Sequence, residues 1–187
     1  MKPFAATDFS FQYLTGTFDE PIVEIMAGAD IVLDICLDCP SGPPILECYF
    51  SPFLIDADDF ERVVNRGNEL LHQNIGSLSP FAQDSNIDFK EKPRLLDERS
   101  AQRAGIHRSS HGILTRDEIV IHYIAQSAST RLPLATMRLI DGEYLGSLQM
   151  QSEEVFIWSS HIAPMRMQVS TLIDLMAELR NELVRMS

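Results

Sequence analysis

The 187-residue chain has few cysteines, few lysines and no long apolar run. Its 3 cysteines are odd in number and sparse, which rules out a disulfide framework as the basis of the fold. No window approaches the ~18 uninterrupted apolar residues of a membrane helix. No apolar stretch of signal-peptide type follows Met1-Lys2-Pro3-Phe4. A cytoplasmic location is the resulting expectation. Phosphate-binding and nucleophile-elbow glycine patterns are missing: there is no Gly-x-Gly-x-x-Gly, no Walker motif and no Gly-x-Ser-x-Gly. No catalytic residue, metal ligand or cofactor is therefore nominated. Positive charge is scarce as well. A net charge of −12 opposes contact with bare nucleic acid or anionic lipid, so neither is expected as a partner.

The charge that is present is uneven. Residues 1–61 hold 12 acidic side chains and a single base, Lys2, whereas the remaining 126 residues balance 15 acids against 14 bases. At this length one domain is expected, able to bury about 70% of its unfolded surface without a staple.

Hydropathy patterning gives the elements. Residues 22–28 read as a short strand. Ile31, Leu33, Ile35 and Leu37 alternate with Val32, Asp34, Cys36 and Asp38, the period of a strand with one face buried. Pro40-Ser41-Gly42-Pro43-Pro44 turns the chain, and residues 45–54 form the next strand. Polarity suggests a pairing of Leu33, Ile35 and Leu37 with Phe50, Cys48 and Leu46, which leaves Cys36 facing out beside Glu47. Asp56 is a helix N-cap, followed by a stripe of Phe60, Val63, Val64, Gly67, Leu70 and Leu71 that Asn74 and Gly76 can end. Residues 76–117 are polar and aperiodic. Beyond them, Glu118–Gln126, Leu134–Ile140 and Glu143–Gln151 read as strands, the last two joined by the hairpin signal Asp141-Gly142. Residues 155–158 form a further strand, and residues 168–186 form a helix with Val169, Leu172, Ile173, Met176, Leu179 and Leu183 on one face. The expected fold is α+β: a mainly antiparallel sheet with two amphipathic helices on one face, in a single domain. Phe50–Leu71 and Trp158–Leu179 share the order aromatic, serine, linker, helix. So few positions match that chance is preferred over duplication.

Each chemical lure has a plainer account. Cys36 and Cys39 lie three apart in a strand, where side chains point to opposite faces, so a redox or zinc pair is not expected. His107 and His111 have helical metal spacing but sit between Gly105 and Gly112, as in a solvated loop. His122 is expected on the face of Val120 and Ile124, partly buried. Asp56, Asp58, Asp59 and Glu61 are explained by helix capping.

The more informative pattern is a face. Glu24, Asp34, Asp38 and Glu47, with Tyr49 among them, fall on the outward side of the first strands. Carboxylates around an aromatic suit a basic protein partner. A second cluster, Arg94, Arg99, Arg103 and Arg108, flanked by Lys90, Lys92 and Arg116, can bind an anion or dock on the protein's own acidic face. Leu175 and Val184 widen the apolar face of the last helix enough for a homodimer contact. The expected function is a non-enzymatic acidic binding protein of the immunity type, which neutralises a basic toxin. The alternatives are a dimeric secretion or assembly chaperone, or an enzyme that uses His107, His111 or His122 without a recognisable motif.

Overall fold

A computed structural model describes residues 3–15, 21–37, 41–49, 53–75, 112–126, 131–152, 154–160 and 165–187. Among the described residues, ten strands and two long helices make a mixed, mostly antiparallel α+β domain. The strands are β1 (Phe9–Thr15), β2 (Pro21–Ala27), β3 (Asp30–Leu37), β4 (Pro44–Cys48), β5 (Phe53–Asp56), β6 (Ile119–Ile124), β7 (Leu134–Leu139), β8 (Tyr144–Met150), β9 (Phe156–Ser160) and β10 (Met165–Gln168). The helices are α1 (Ala57–Ile75) and α2 (Val169–Met186). One sheet runs β1-β2-β3-β4-β10 and the other β5-β9-β8-β7-β6.

Each sheet thus takes four consecutive strands from one half of the chain and one strand from the other half. β4 pairs with β10 and β5 pairs with β9. Cys48 faces Met165, and Phe53 faces Ser160, so both pairings keep one register and the sheets meet along a two-stranded ribbon.

The halves are copies of one unit. A 3-10 turn precedes β1 at Ala6–Asp8, and another precedes β6 at Arg116–Glu118. Asp8 accepts the Ala5 N–H at 2.8 Å, and Glu118 accepts the Thr115 N–H at 2.7 Å. The Phe4 N–H bonds Leu54 O, and the Leu114 N–H bonds Arg166 O, both at 2.8 Å. A register irregularity falls at Val32 of β3, opposite Ile25 and Met26, and at Leu145 of β8, opposite Met137 and Arg138. Each half ends in a strand that enters the other half's sheet and runs directly into a helix. The chance resemblance preferred from sequence is therefore replaced by a structural repeat. Its equivalent residues keep apolar character rather than identity: Phe60 and Leu172, Val63 and Leu175, Val64 and Met176, Leu71 and Leu183 are all buried.

Capping and glycine placement set the details. Asp56 Oδ1 accepts the N–H groups of Asp58 (3.0 Å) and Asp59 (3.2 Å), as the capping expectation requires. Gly28 and Gly142 hold φ of 64° and 96° in the β2–β3 and β7–β8 turns, the left-handed region where glycine carries no Cβ penalty. Gly67 lets α1 approach β2 and β3, because a Cβ there would meet Ile35 Cδ1 at 2.8 Å and Ile25 Cδ1 at 3.0 Å. Trp158 stacks on Phe60 with ring centroids 5.7 Å apart, joining α1 to the second sheet. The helices touch through Arg180, whose Nη1 lies 2.7 Å from Asp58 and 3.5 Å from Glu61.

Several sequence expectations change. β1 and β10 were not anticipated, and the strand expected over 45–54 divides between two sheets. The β3–β4 register is shifted by two residues: Leu33 faces Cys48, Ile35 faces Leu46 and Leu37 faces Pro44. A shift by two preserves the faces, so the polarity argument survives, although Cys36 lies opposite Ile45 rather than beside Glu47. Leu114 is buried and bridges to Met167, so the tail of the aperiodic 76–117 stretch belongs to the core. Residues 76–111 lie outside the described residues.

Candidate functional site

The acidic residues do share one face. Across the first sheet, Gln12 faces Glu24, Glu24 faces Asp34, Asp34 faces Glu47 and Glu47 faces Arg166. This row lies opposite the Ile25 and Ile35 face that receives α1. What changes is its exposure. Glu24 is 0%, Asp34 2% and Glu47 3% exposed, so the expected open partner face is closed. Asp38, and all of Arg94, Arg99, Arg103 and Arg108, lie outside the described residues.

Inside the fold the carboxylates are held by donors. The Tyr49 hydroxyl donates to Glu47 Oε2 at 2.6 Å and to Asp34 Oδ2 at 2.8 Å, its single proton shared between them. Arg166 Nε donates to Glu47 Oε1 at 2.6 Å. Both Glu47 oxygens are thus occupied, and Glu24 and Asp34 have further interactions. Burial, and then the negative charge of Asp34 and Glu47, push the Tyr49 phenol well above its usual range. The buried Glu47 carboxylate is tolerated in such a row because it is paired with Arg166 and hydrogen-bonded to Tyr49.

The second repeat carries the same face with different chemistry. Register makes Thr136, Ser147 and Ser159 the equivalents of Glu24, Asp34 and Glu47, and Leu54 the equivalent of Arg166. His122 stands where the first repeat has Gln12, and it is exposed, contrary to the partly buried position expected from sequence. Val120 and Ile124, on the same side of β6, are 38% and 41% exposed, whereas Leu14, the equivalent of Ile124, is 8% exposed. Arg138 extends over the Tyr144 ring at 5.4 Å on this side. The first repeat's outer face is therefore a covered acidic row, and the second's opens at β6 in Val120, His122 and Ile124 while Ser159 stays buried.

On the helix side of β6, Arg116 forms a two-pronged pair with Glu178, at 3.0 Å from Nε and 2.8 Å from Nη2. Partial burial, and then Glu178 and Glu182, raise the Tyr123 phenol, with Arg116 opposing. Arg116, counted from sequence with the basic cluster, is instead part of the fold's own pairing.

The remaining candidates are structural. Asp58 and Glu61 pair with Arg180, and Asp59 receives the Ala6 N–H at 3.1 Å. Cys36 is half-buried, Cys48 is buried, and Cys39 lies outside the described residues. His107 and His111 also lie outside them. Among the described residues no group of three or more His, Cys, Asp or Glu is placed to hold a metal, and no helix is long and apolar enough to cross a membrane. The stripe that suggested a helix-mediated dimer packs inward: Leu175 is 1% and Met176 2% exposed, and only Val184, at 51%, faces out. Comparison with protein-family models, with curated proteins and with solved structures returns no match.

Proposed function

We propose that the protein is a non-enzymatic binding protein for a basic polypeptide, as an immunity-type protein that neutralises a basic toxin would be. The observation that carries this reading is the inequality of the two repeats. The equivalent sheet faces are closed in the first half and open at the β6 end of the second, where Val120 and Ile124 sit exposed around His122. A net charge of −12 supports a basic partner, drawn in by long-range attraction and then held at a partly apolar surface. Glu24, Asp34 and Glu47 shape the protein from within rather than touching the partner. Charge-reversing Asp34 would accordingly unfold the protein instead of slowing association.

The test is capture of purified basic proteins encoded next to this gene, followed by surface plasmon resonance over a salt series. The expected result is an association rate that falls steeply with salt, and affinity lost in a Val120→Lys/Ile124→Lys variant that keeps its melting temperature. Capture that is indifferent to salt would turn the reading toward the assembly chaperone. Capture unaffected by the double variant would remove the open face from the reading.

A further inference from the structure

The open end of the second repeat includes a strand edge as well as a face. β6 is the last strand of its sheet. The Ile140 N–H bonds Glu118 O at 3.0 Å, which fixes the phase of the β6–β7 ladder. By antiparallel alternation, the backbone groups of Val120, His122 and Ile124 then point to β7, and those of Ile121 and Tyr123 point to the free edge, whereas Ile119 is already held by Arg116, its N–H donating to Arg116 O and its carbonyl accepting from Arg116 Nη1 at 3.0 Å. Among the described residues no strand pairs with that edge.

Natural sheets protect such edges with lysine, proline, inward charge or a bulge. β6 reads Ile-Val-Ile-His-Tyr-Ile and has none of the first three, and the bulge of this sheet lies in the β7–β8 pairing, with Leu145 of β8 as the extra residue. The surroundings of the edge specify what can pair with it. On the outer side stand Val120 and Ile124. On the helix side, Asp117, Glu178 and Glu182 stand with two local bases, Arg116 and Arg185. Arg116 is bound in both prongs to Glu178, and Arg185 is 76% exposed with a single contact to Glu182.

We infer that the free edge of β6 is a strand-addition site that takes an extended segment with alternating apolar and Lys or Arg side chains from a basic polypeptide. The apolar set lies beside Val120 and Ile124, and the basic set lies on the helix side, near Glu182 and Glu178. Backbone bonds to Ile121 and Tyr123 supply affinity, while the two rows of side chains supply selectivity. This rests on the proposed role in binding a basic partner and adds where and how that partner is held.

The probe is a fluorescent peptide of about ten residues that alternates valine and lysine, long enough to pair along a whole strand. A peptide alternating valine and glutamate and a block peptide with all lysines at one end serve as comparisons. Fluorescence anisotropy with the full chain is expected to rank the alternating lysine peptide about tenfold tighter than either comparison. Hydrogen exchange of the complex is expected to slow at Ile121 and Tyr123 while the amides of β1 stay unchanged. Val120→Lys and Glu182→Lys should each weaken binding about fivefold with the melting temperature retained. Equal binding of the block peptide, or protection that falls elsewhere than β6, overturns the edge assignment. If a basic protein is captured without protection of β6, the binding role survives and the strand-addition site does not. If neither peptides nor basic proteins bind, both fall.

Discussion

Replacing Arg166 with methionine isolates the physics of the closed acidic row. Arg166 Nε lies 2.6 Å from Glu47, and the two side chains are 24% and 4% exposed. Methionine keeps much of the aliphatic stem and removes the cation, so Glu47 stays buried with only Tyr49 to hold it. Breaking a fully buried pair from one side costs about 3–5 kcal/mol. Arg166 is a quarter open to water, so screening places this case lower, at about 2–3 kcal/mol. That is a large share of the roughly 5–15 kcal/mol that stabilises a typical domain. With a urea slope of about 2–3 kcal/mol per M, the unfolding midpoint should drop by about 1 M. The pair Glu47→Leu/Arg166→Met removes both charges and should unfold within about 1 kcal/mol of the parent. Equilibrium urea unfolding followed by circular dichroism measures all the variants. A single variant that shifts the midpoint by less than about 0.3 M, or costs that simply add in the double variant, would refute the claim that a buried, mutually dependent ion pair organises this face.

Other consequences follow from the same geometry. Tyr49 is held neutral above its usual pKa of 10.0, so its contribution is complete below that value and is lost as pH rises beyond it, when the unfolded chain ionises and the folded one does not. Unfolding free energy should therefore fall by up to about 1.4 kcal/mol per pH unit above 10, beyond the trend shown by Tyr49→Phe. Absorbance titration of the folded protein should show Tyr49 silent until unfolding begins. Gly146→Ala should be strongly destabilising, by about 3 kcal/mol or more, because the new Cβ would overlap Ser159 O in the neighbouring strand; calorimetry with a near-native melting temperature would contradict this. Trp158 Nε1 is buried with no acceptor among the described residues, so Trp158→Phe should cost much less than the roughly 3–5 kcal/mol of Trp158→Ala, measured by urea unfolding. Alkylation of the native protein should label Cys36 well before Cys48, which is 1% exposed; equal rates would contradict the register of β3 on β4.

Much of the first sheet was legible because period-two alternation is strong in residues 30–37 and the helix stripe begins at a clear cap. β1 and β10 were not legible, because Phe9–Thr15 is uncharged along its length and Met165–Gln168 is only four residues long. The sequence resemblance of the halves was set down to chance because Leu46 and Trp158, or Glu47 and Ser159, occupy equivalent places with unlike side chains. Identity is not what the fold keeps there. For the acidic site, grouping Glu24, Asp34 and Glu47 on one face followed from alternation alone. Their closure from solvent did not, since alternation separates two faces of a strand without saying which one is covered.

By itself, the sequence determined the class of fold, the sides of its strands and helices, and a charge balance that favours a basic partner. Those are local or summed properties, fixed by side-chain period and composition. Only the tertiary structure decided that β5 and β10 cross between sheets, that the acids face inward onto Tyr49 and Arg166, and that the second repeat's equivalent face and edge stay open. Each of these depends on which distant segments meet, and a single chain's local pattern does not encode that in a readable form.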